Sequence, residues 1–180
     1  MTDNAQEQGQ EQGGWLWGRW SRIALLVALL TAAIDQAHKW WMLQVYDLPH
    51  KGRVPVTPFW DWFLLINKGV SYSLFSLDSK SGQIVLSSFA VLASLGMWIW
   101  LARAGTGRLM AWSLGLIIGG AIGNAIDRLH AGGVIDYVSL HAFGYYWYVF
   151  NIADVAIVAG VAGLLYDSFI ASRNAAAKGD

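Results

Sequence analysis

The run LMAWSLGLIIGGAIGNAIDRL, residues 109–129, decides how this chain folds. It is mostly apolar and matches the roughly 20 residues a helix needs to cross the hydrocarbon core of a bilayer. Gly115, Gly119 and Gly123 recur every four residues, a small-xxx-small stripe that lets a second helix approach closely. A phosphate cradle is the competing reading of these glycines, but no Walker-type loop follows them. The last turn then carries Asn124, Asp127 and Arg128. An ionisable side chain costs about 2.5–3.5 kcal/mol at the centre of a span by insertion scales, so it is a candidate for function by default.

Three further stretches resemble this one in length and character: 21–45, 83–102 and 150–171. Tryptophans and tyrosines mark their ends, where amphipathic rings sit at headgroup level: Trp15, Trp17 and Trp20, Trp40 and Trp41, Trp98 and Trp100, Trp112, and Tyr145 through Tyr148. The fourth stretch answers the glycine stripe with Ala156, Gly160 and Gly163. The expected fold is an all-α membrane protein, a bundle of four transmembrane helices in one domain over 21–171. The segment 46–82, between the first two spans, carries β-type patterns at 60–66 and 70–75 and is read as a small extramembrane sheet.

Composition agrees with lipid as the main solvent: 56% of the 180 residues are hydrophobic and only 13% charged, against about 25% charged in soluble domains. Twelve basic and twelve acidic side chains balance, so no field is present to recruit nucleic acid. There is no cysteine, hence no thiol nucleophile, disulfide or thiolate metal site. His38, His50, His130 and His141 show no HExxH-like pairing, and no metal is expected. Residues 1–20 are expected to be a disordered tail, its first fourteen residues rich in Gln, Gly and Glu. Asp3, Glu7 and Glu11 distinguish it from the basic start of a signal peptide. A second tail occupies 172–180.

Four spans place both termini and the short turn 103–108 on one side, and the segments 46–82 and 130–149 on the other. Setting aside Lys39 and Arg128 inside the apolar runs, the termini side holds Arg19, Arg22, Arg103, Arg108, Arg173 and Lys178 against Lys51, Arg53, Lys68 and Lys80 opposite. The excess points to cytoplasmic termini.

The ionisable residues of the spans are clustered. Asp35 and Lys39 lie four apart, Asn124, Asp127 and Arg128 within one turn, and Asn151 and Asp154 three apart, each set expected on one helix face. An up-down topology brings all three sets to the same membrane face. Asp136 follows Arg128 by eight residues, and Gly133 is expected to make the turn that aims it back at the fourth helix. Asp136 and Asp154 are then a candidate pair. Two carboxylates held close share a proton and titrate as a unit. One can take a proton from water as it attacks a peptide carbonyl, while the other donates to the carbonyl oxygen and the leaving amine. Lys39 and Arg128 are expected to pair with Asp35 and Asp127 as struts, since a buried cation needs a counter-charge. Residue chemistry alone leaves Asp136 and Asp154 open to a structural reading too.

Five segments carry a resemblance: DQAHK (35–39), NKG (67–69), GGAIGNAIDR (119–128), GVIDY (133–137) and FNIAD (150–154). In this order they resemble the bacterial lipoprotein signal peptidases, the type II signal peptidases, over roughly residues 23–168. The resemblance implies an aspartic endopeptidase of the bacterial inner membrane, with both termini cytoplasmic and a periplasmic β-cradle. It implies removal of signal peptides from diacylglyceryl-modified prolipoproteins by cleavage before the lipidated cysteine, with no cofactor. Asp136 and Asp154 match the catalytic pair. Asn67, Asn124, Arg128 and Asn151 match polar residues lining the site, Asp35, Lys39 and Asp127 match its structural motif positions, and Gly69 and Ala153 complete the supporting motifs. The implied partners are the prolipoprotein and membrane lipids, the protein acting as a monomer. After N-x-G the family has small residues and Phe, whereas this chain has Val70, Ser71 and Tyr72. Two rival readings use other residues: a Ser–Lys dyad of Ser71 or Ser73 with Lys39 or Lys68, and an ion path through Asp35, Asp127 and Asp154. The ion path lacks the internal repeat common in transporters. A scaffold without activity is the remaining alternative.

Overall fold

The structure is a computed structural model that describes residues 14–69, 79–104 and 107–176. Four long helices, α1 (Ser21–Gln44), α3 (Lys80–Ala104), α4 (Arg108–Ala131) and α5 (Ile152–Ala176), are joined by short elements after α1 and after α4. Those are a single turn α2 (Leu48–Lys51) and four strands: β1 (Val54–Thr57), β2 (Trp60–Asn67), β3 (Val134–Ala142) and β4 (Tyr145–Phe150). All four long helices are long and apolar enough to cross a membrane. Their outer faces expose Leu26, Leu29, Leu30, Val85, Phe89, Leu92, Val158 and Leu165, surfaces suited to lipid rather than water.

α4 is the central helix, more than half buried and packed against α1, α3 and α5. α1 buries the stripe Ala24, Val27, Ala28, Thr31, Asp35 and Lys39, whose three- and four-residue spacing follows one helix face. Gly115, Gly119 and Gly123 meet this stripe, and a β-carbon at Gly123 would also touch Ala153 of α5 at 3.7 Å. A β-carbon at Gly119 would lie 2.5 Å from the Ala28 carbonyl oxygen, and one at Gly123 would lie 2.7 Å from the Asp35 carboxylate. The α5 contact uses another face, where Gly120 approaches the Ala153 carbonyl and Gly160 that of Ser113, each with 2.5 Å for a β-carbon. α4 thus carries two close-packing faces because it has a neighbour on each side.

The extramembrane sheet is antiparallel, in the order β1-β2-β3-β4. It draws on both segments at that end of the bundle, so half of it comes from the chain between α4 and α5, where the sequence suggested no strands. Tyr145–Tyr148 are β4 residues. The expected strand at 70–75 lies outside the described residues. β2 and β3 pair from Asn67↔Val134 and Leu65↔Asp136 to Trp62↔Val138 and Asp61↔Ser139. Between Leu65 and Trp62 the two residues Phe63 and Leu64 face the single residue Tyr137, a β-bulge. A small apolar core of Met42, Leu48, Ile135 and Tyr137 seats the sheet on the end of α1.

Candidate active site

The polar residues converge where α1, α4, α5 and the β2–β3 pair meet. Lys39 is nearly inaccessible, and its ammonium lies 2.8 Å from Asp35 Oδ2, 2.6 Å from Asp127 Oδ2 and 3.2 Å from Asn124 Oδ1. One cation thus holds two buried carboxylates from different helices, and removing either sign would leave an uncompensated charge. Gln36 reinforces the joint by donating to Asp127 Oδ1 at 2.8 Å and to the Gly123 carbonyl at 3.1 Å. Asp127 Oδ2 also accepts the Ile135 backbone N–H at 3.1 Å, which ties α4 to the start of β3.

Arg128 departs from the expected pairing with Asp127. Adjacent helical residues point about 100° apart, and Lys39 occupies the Asp127 side. The guanidinium instead reaches the Asn124 and Gly69 carbonyls, both at 3.4 Å. The turn after α4 also differs from expectation. Gly132, at φ 72°, makes the left-handed cap. Gly133 is required for another reason: a β-carbon there would meet Ile66 Cγ2 at 2.8 Å and the Asn67 carbonyl oxygen at 2.9 Å.

The start of α5 explains the placement of Asp154. Asn151 precedes the helix, and its Oδ1 accepts the Asp154 N–H at 3.0 Å while Asp154 Oδ2 accepts the Asn151 N–H at 3.3 Å. This is a capping box, with Asp in the position usually held by Glu. Asp35 Oδ1 accepts the Ala153 N–H at 3.0 Å and the Tyr137 hydroxyl accepts that of Ile152 at 3.4 Å. The first three N–H groups of α5, which have no partner within the helix, are thus met from β3, from α1 and from the cap residue Asn151. The positive end of the helix dipole favours an anion at Asp154.

Asp136 faces this cap from β3. Asn151 Nδ2 donates to Asp136 Oδ1 at 2.7 Å, and Asn67 Nδ2 to Asp136 Oδ2 at 3.2 Å. Asn124 Nδ2 donates to Asp154 Oδ1 at 2.9 Å, and Asn151 Nδ2 also reaches Asn124 Oδ1 at 3.1 Å. The two carboxylates are therefore linked through two contacting amide side chains. Burial, then the negative charge of Asp154, pushes the Asp136 carboxyl up to about 7, against the opposing hydrogen bonds from Asn67 and Asn151. Near neutrality Asp136 can therefore hold a proton, as one member of an acid–base pair of carboxyls must.

Asp35, Lys39, Asn67, Asn124, Asp127, Asn151 and Ala153 all join this network, and Gly69 contributes its carbonyl to Arg128 and its N–H to Asn67 Oδ1 at 3.1 Å. Ser71, Ser73 and the departure at Val70, Ser71 and Tyr72 lie outside the described residues. Lys39, a candidate base in the Ser–Lys reading, is committed to its two carboxylates. Among the described residues no group of three His, Cys, Asp or Glu side chains is placed to hold a metal ion. The sequence reading gave no role to Gln36 or Tyr137. The spacing Asn151-x-x-Asp154 was a readable cap signal, whereas nothing local to Tyr137 marks it as a partner of α5.

The chain is similar in sequence to three curated lipoprotein signal peptidases. That of Rhodopseudomonas palustris (strain TIE-1) is 50% identical over 153 residues, 83% of this chain and 93% of the relative. That of Nitrobacter hamburgensis is 50% identical over 161 residues, 87% and 96% of the two chains. That of Methylobacterium sp. (strain 4-46) is 49% identical over 146 residues, 81% and 88%. Two solved structures described as bacterial membrane enzymes share the fold. One has a TM-score of 0.68 at 24% identity, covering 84% of this chain and 90% of its own. The other has a TM-score of 0.63 at 25% identity, covering 79% and 90%. The family model described as Signal peptidase (SPase) II matches residues 27–170, the sheet and the bundle but for the first turns of α1 and the last of α5, and the chain belongs to the signal peptidase II family.

Proposed function

We propose that this protein is an aspartic endopeptidase that removes signal peptides from diacylglyceryl-modified prolipoproteins, cutting before the lipidated cysteine. The carrying observation is the pair Asp136 and Asp154, the first fully buried and in the field of the second, both held by the linked amides of Asn151 and Asn124. Asp154 takes a proton from water as the water oxygen bonds to the scissile carbonyl carbon. Asp136 gives its proton to the carbonyl oxygen, producing a neutral tetrahedral diol. As the diol collapses, the Asp136 carboxylate takes back a hydroxyl proton and the C=O bond re-forms; the C–N bond breaks, and the proton held by Asp154 passes to the leaving amine, which becomes the new N-terminus. The names of the relatives support the substrate, and the acyl chains account for a site at the membrane, since each buried methylene is worth about 0.8 kcal/mol.

The arginines at the termini end of the bundle, Arg19, Arg22, Arg103, Arg108 and Arg173, favour cytoplasmic termini and a periplasmic sheet in the inner membrane. The two aspartates and the amides that hold them lie on one chain, which supports a monomer as the acting form. Wild type, Asp136→Asn and Asp154→Asn, each verified as folded, would be compared for cleavage of a diacylglyceryl-modified prolipoprotein in detergent. Both variants are expected to lose cleavage, and undiminished cleavage by either removes that residue from the chemistry. A precursor without the diacylglyceryl group is expected to be cut poorly; equal cleavage of both precursors refutes the acyl contribution.

A further inference from the structure

A second polar cluster lies in the sheet, apart from the dyad. Asp61 on β2 is 2% exposed. Its Oδ2 accepts from Arg53 at 3.0 Å and its Oδ1 pairs with His141 Nε2 at 3.0 Å, while Arg53 also donates to Ser139 Oγ at 3.0 Å. The Arg53 guanidinium stands over the rings of Phe63 and Tyr146, 4.2 Å from each centroid. Ser139, His141, Phe63 and Tyr146, from β2, β3 and β4, are thus bound to one carboxylate on β2 and one guanidinium beside β1. With the Arg53 side chain 33% exposed, the pair contributes little net stability by itself, and the best-attested use of a buried charge such as Asp61 is to specify register. Register is what this sheet needs.

The extra residue of β2 sits between Trp62↔Val138 and Leu65↔Asp136. If the bulge were lost, Leu65 would pair with Ile135 and Asn67 would move by one residue, about 3.3 Å along the strand. Its side chain would also turn to the other face of the sheet. The 3.2 Å bond from Asn67 to Asp136 would then be lost. Arg53 and Asp61 hold β2 at the point where slip must start: Asp61 pairs with Ser139 just before the bulge, and Arg53 covers Phe63 within it. Alternation of apolar residues cannot hold this register, because Trp62, Phe63, Leu64, Leu65 and Ile66 are all apolar. We infer that the Arg53–Asp61–Ser139–His141 clasp locks the β2 bulge and so positions Asn67 against Asp136, making Asp61 a positioning residue for the site. The inference rests on the dyad reading only for its effect on cleavage.

The chain has no cysteine, so introduced pairs report register directly. Ile66→Cys with Ile135→Cys tests the observed pairing, and Leu65→Cys with Ile135→Cys tests the slipped one. Bridging is expected mainly in the first pair, and Asp61→Leu is expected to shift it toward the second; an unchanged ratio overturns the clasp whatever the cleavage result. In the protein without introduced cysteines, Asp61→Leu is expected to lower kcat by about 100-fold, the loss associated with roughly 1 Å of misplacement, while leaving KM within about twofold. The alkaline limb of the pH profile is expected to move up, because an amide that opposes the Asp136 shift is withdrawn. Combined with Asn67→Ala, Asp61→Leu should add little further loss, and full additivity of the two overturns the coupling. Should Asp61→Leu fail to fold, His141→Gln, which keeps a donor for Asp61, must retain activity that His141→Ala loses; equal activity of the two overturns the clasp. Were register to shift with Asp136→Asn still fully active, the clasp would stand and the dyad reading would fall.

Discussion

Replacing Lys39 by Met tests whether one ammonium holds the site together. Met keeps the length of the stem and removes the charge. Asp35 and Asp127, with side chains 0% and 1% exposed, would be left facing one another without a cation. Breaking a buried pair from one side costs about 3–5 kcal/mol, and here two carboxylates lose the same partner. The effect also reaches α5, since Asp35 Oδ1 caps Ala153 one residue before Asp154. Lys39→Met should therefore lower the unfolding midpoint in detergent substantially and reduce cleavage. The triple variant Lys39→Met, Asp35→Asn, Asp127→Asn removes all three charges. It should recover most of the lost stability without recovering full activity, because an amide at position 35 caps α5 less strongly than a carboxylate. Thermal unfolding of the three proteins in one detergent decides the matter. A single variant as stable as wild type, or a triple variant no better than the single, would refute the reasoning.

The remaining predictions concern the dyad, the helix contacts and the sheet. Asn151→Ala withdraws an amide that opposes the upward shift of Asp136, so the alkaline limb of cleavage, expected near pH 7, should move to higher pH; a limb that stays in place counts against Asp136 as the proton donor. Because the Asp136 carboxyl is raised in the folded protein, folding binds a proton between about pH 4 and pH 7 and stability falls as pH rises through that window. Asp136→Asn should flatten this dependence and be more stable than wild type above pH 7, read from midpoints across a pH series. Gly120→Ala would press a β-carbon to 2.5 Å from the Ala153 carbonyl oxygen and should destabilise by about 1–3 kcal/mol. Gly96→Ala, with open space around it, should stabilise α3 by up to about 1 kcal/mol. EDTA should leave cleavage unchanged, since the proposed acid and base are both side chains of this chain, and strong inhibition would overturn the metal-free mechanism.

The contrast between Asp61 and Asp136 shows how environment assigns carboxylates different tasks. Both are buried in the extramembrane sheet, and burial raises both. At Asp61 the hydrogen bonds from Arg53 and His141 outweigh burial and hold the carboxyl below its usual range, which suits a permanent anchor. At Asp136 the hydrogen-bond partners are neutral amides, another carboxylate stands near and the Lys39 charge opposes least, so burial prevails and pushes the carboxyl up to about 7.

Hydropathy and helical spacing determined the four-helix membrane architecture and drew attention to Asp35, Lys39, Asn124, Asp127, Asn151 and Asp154, because charge inside an apolar run is visible without a structure. The cap of α5 was legible in the same way, as a local Asn-x-x-Asp pattern. Which carboxylate meets which cation was decided by tertiary packing. Adjacency placed Arg128 beside Asp127 in the chain, yet the helix turns them apart and hands Asp127 to Lys39, 88 positions away. Which glycine serves which neighbour was decided the same way, since a four-residue stripe defines a face without naming the helix that fills it. The strands after α4 escaped the sequence because β3 is buried along most of its first half and has lost the alternation that marks a half-exposed strand. The bulge that brings Asn67 to Asp136 depends on partners 69 positions apart, and a register of that kind exists only once both strands have been brought together by the bundle beneath them.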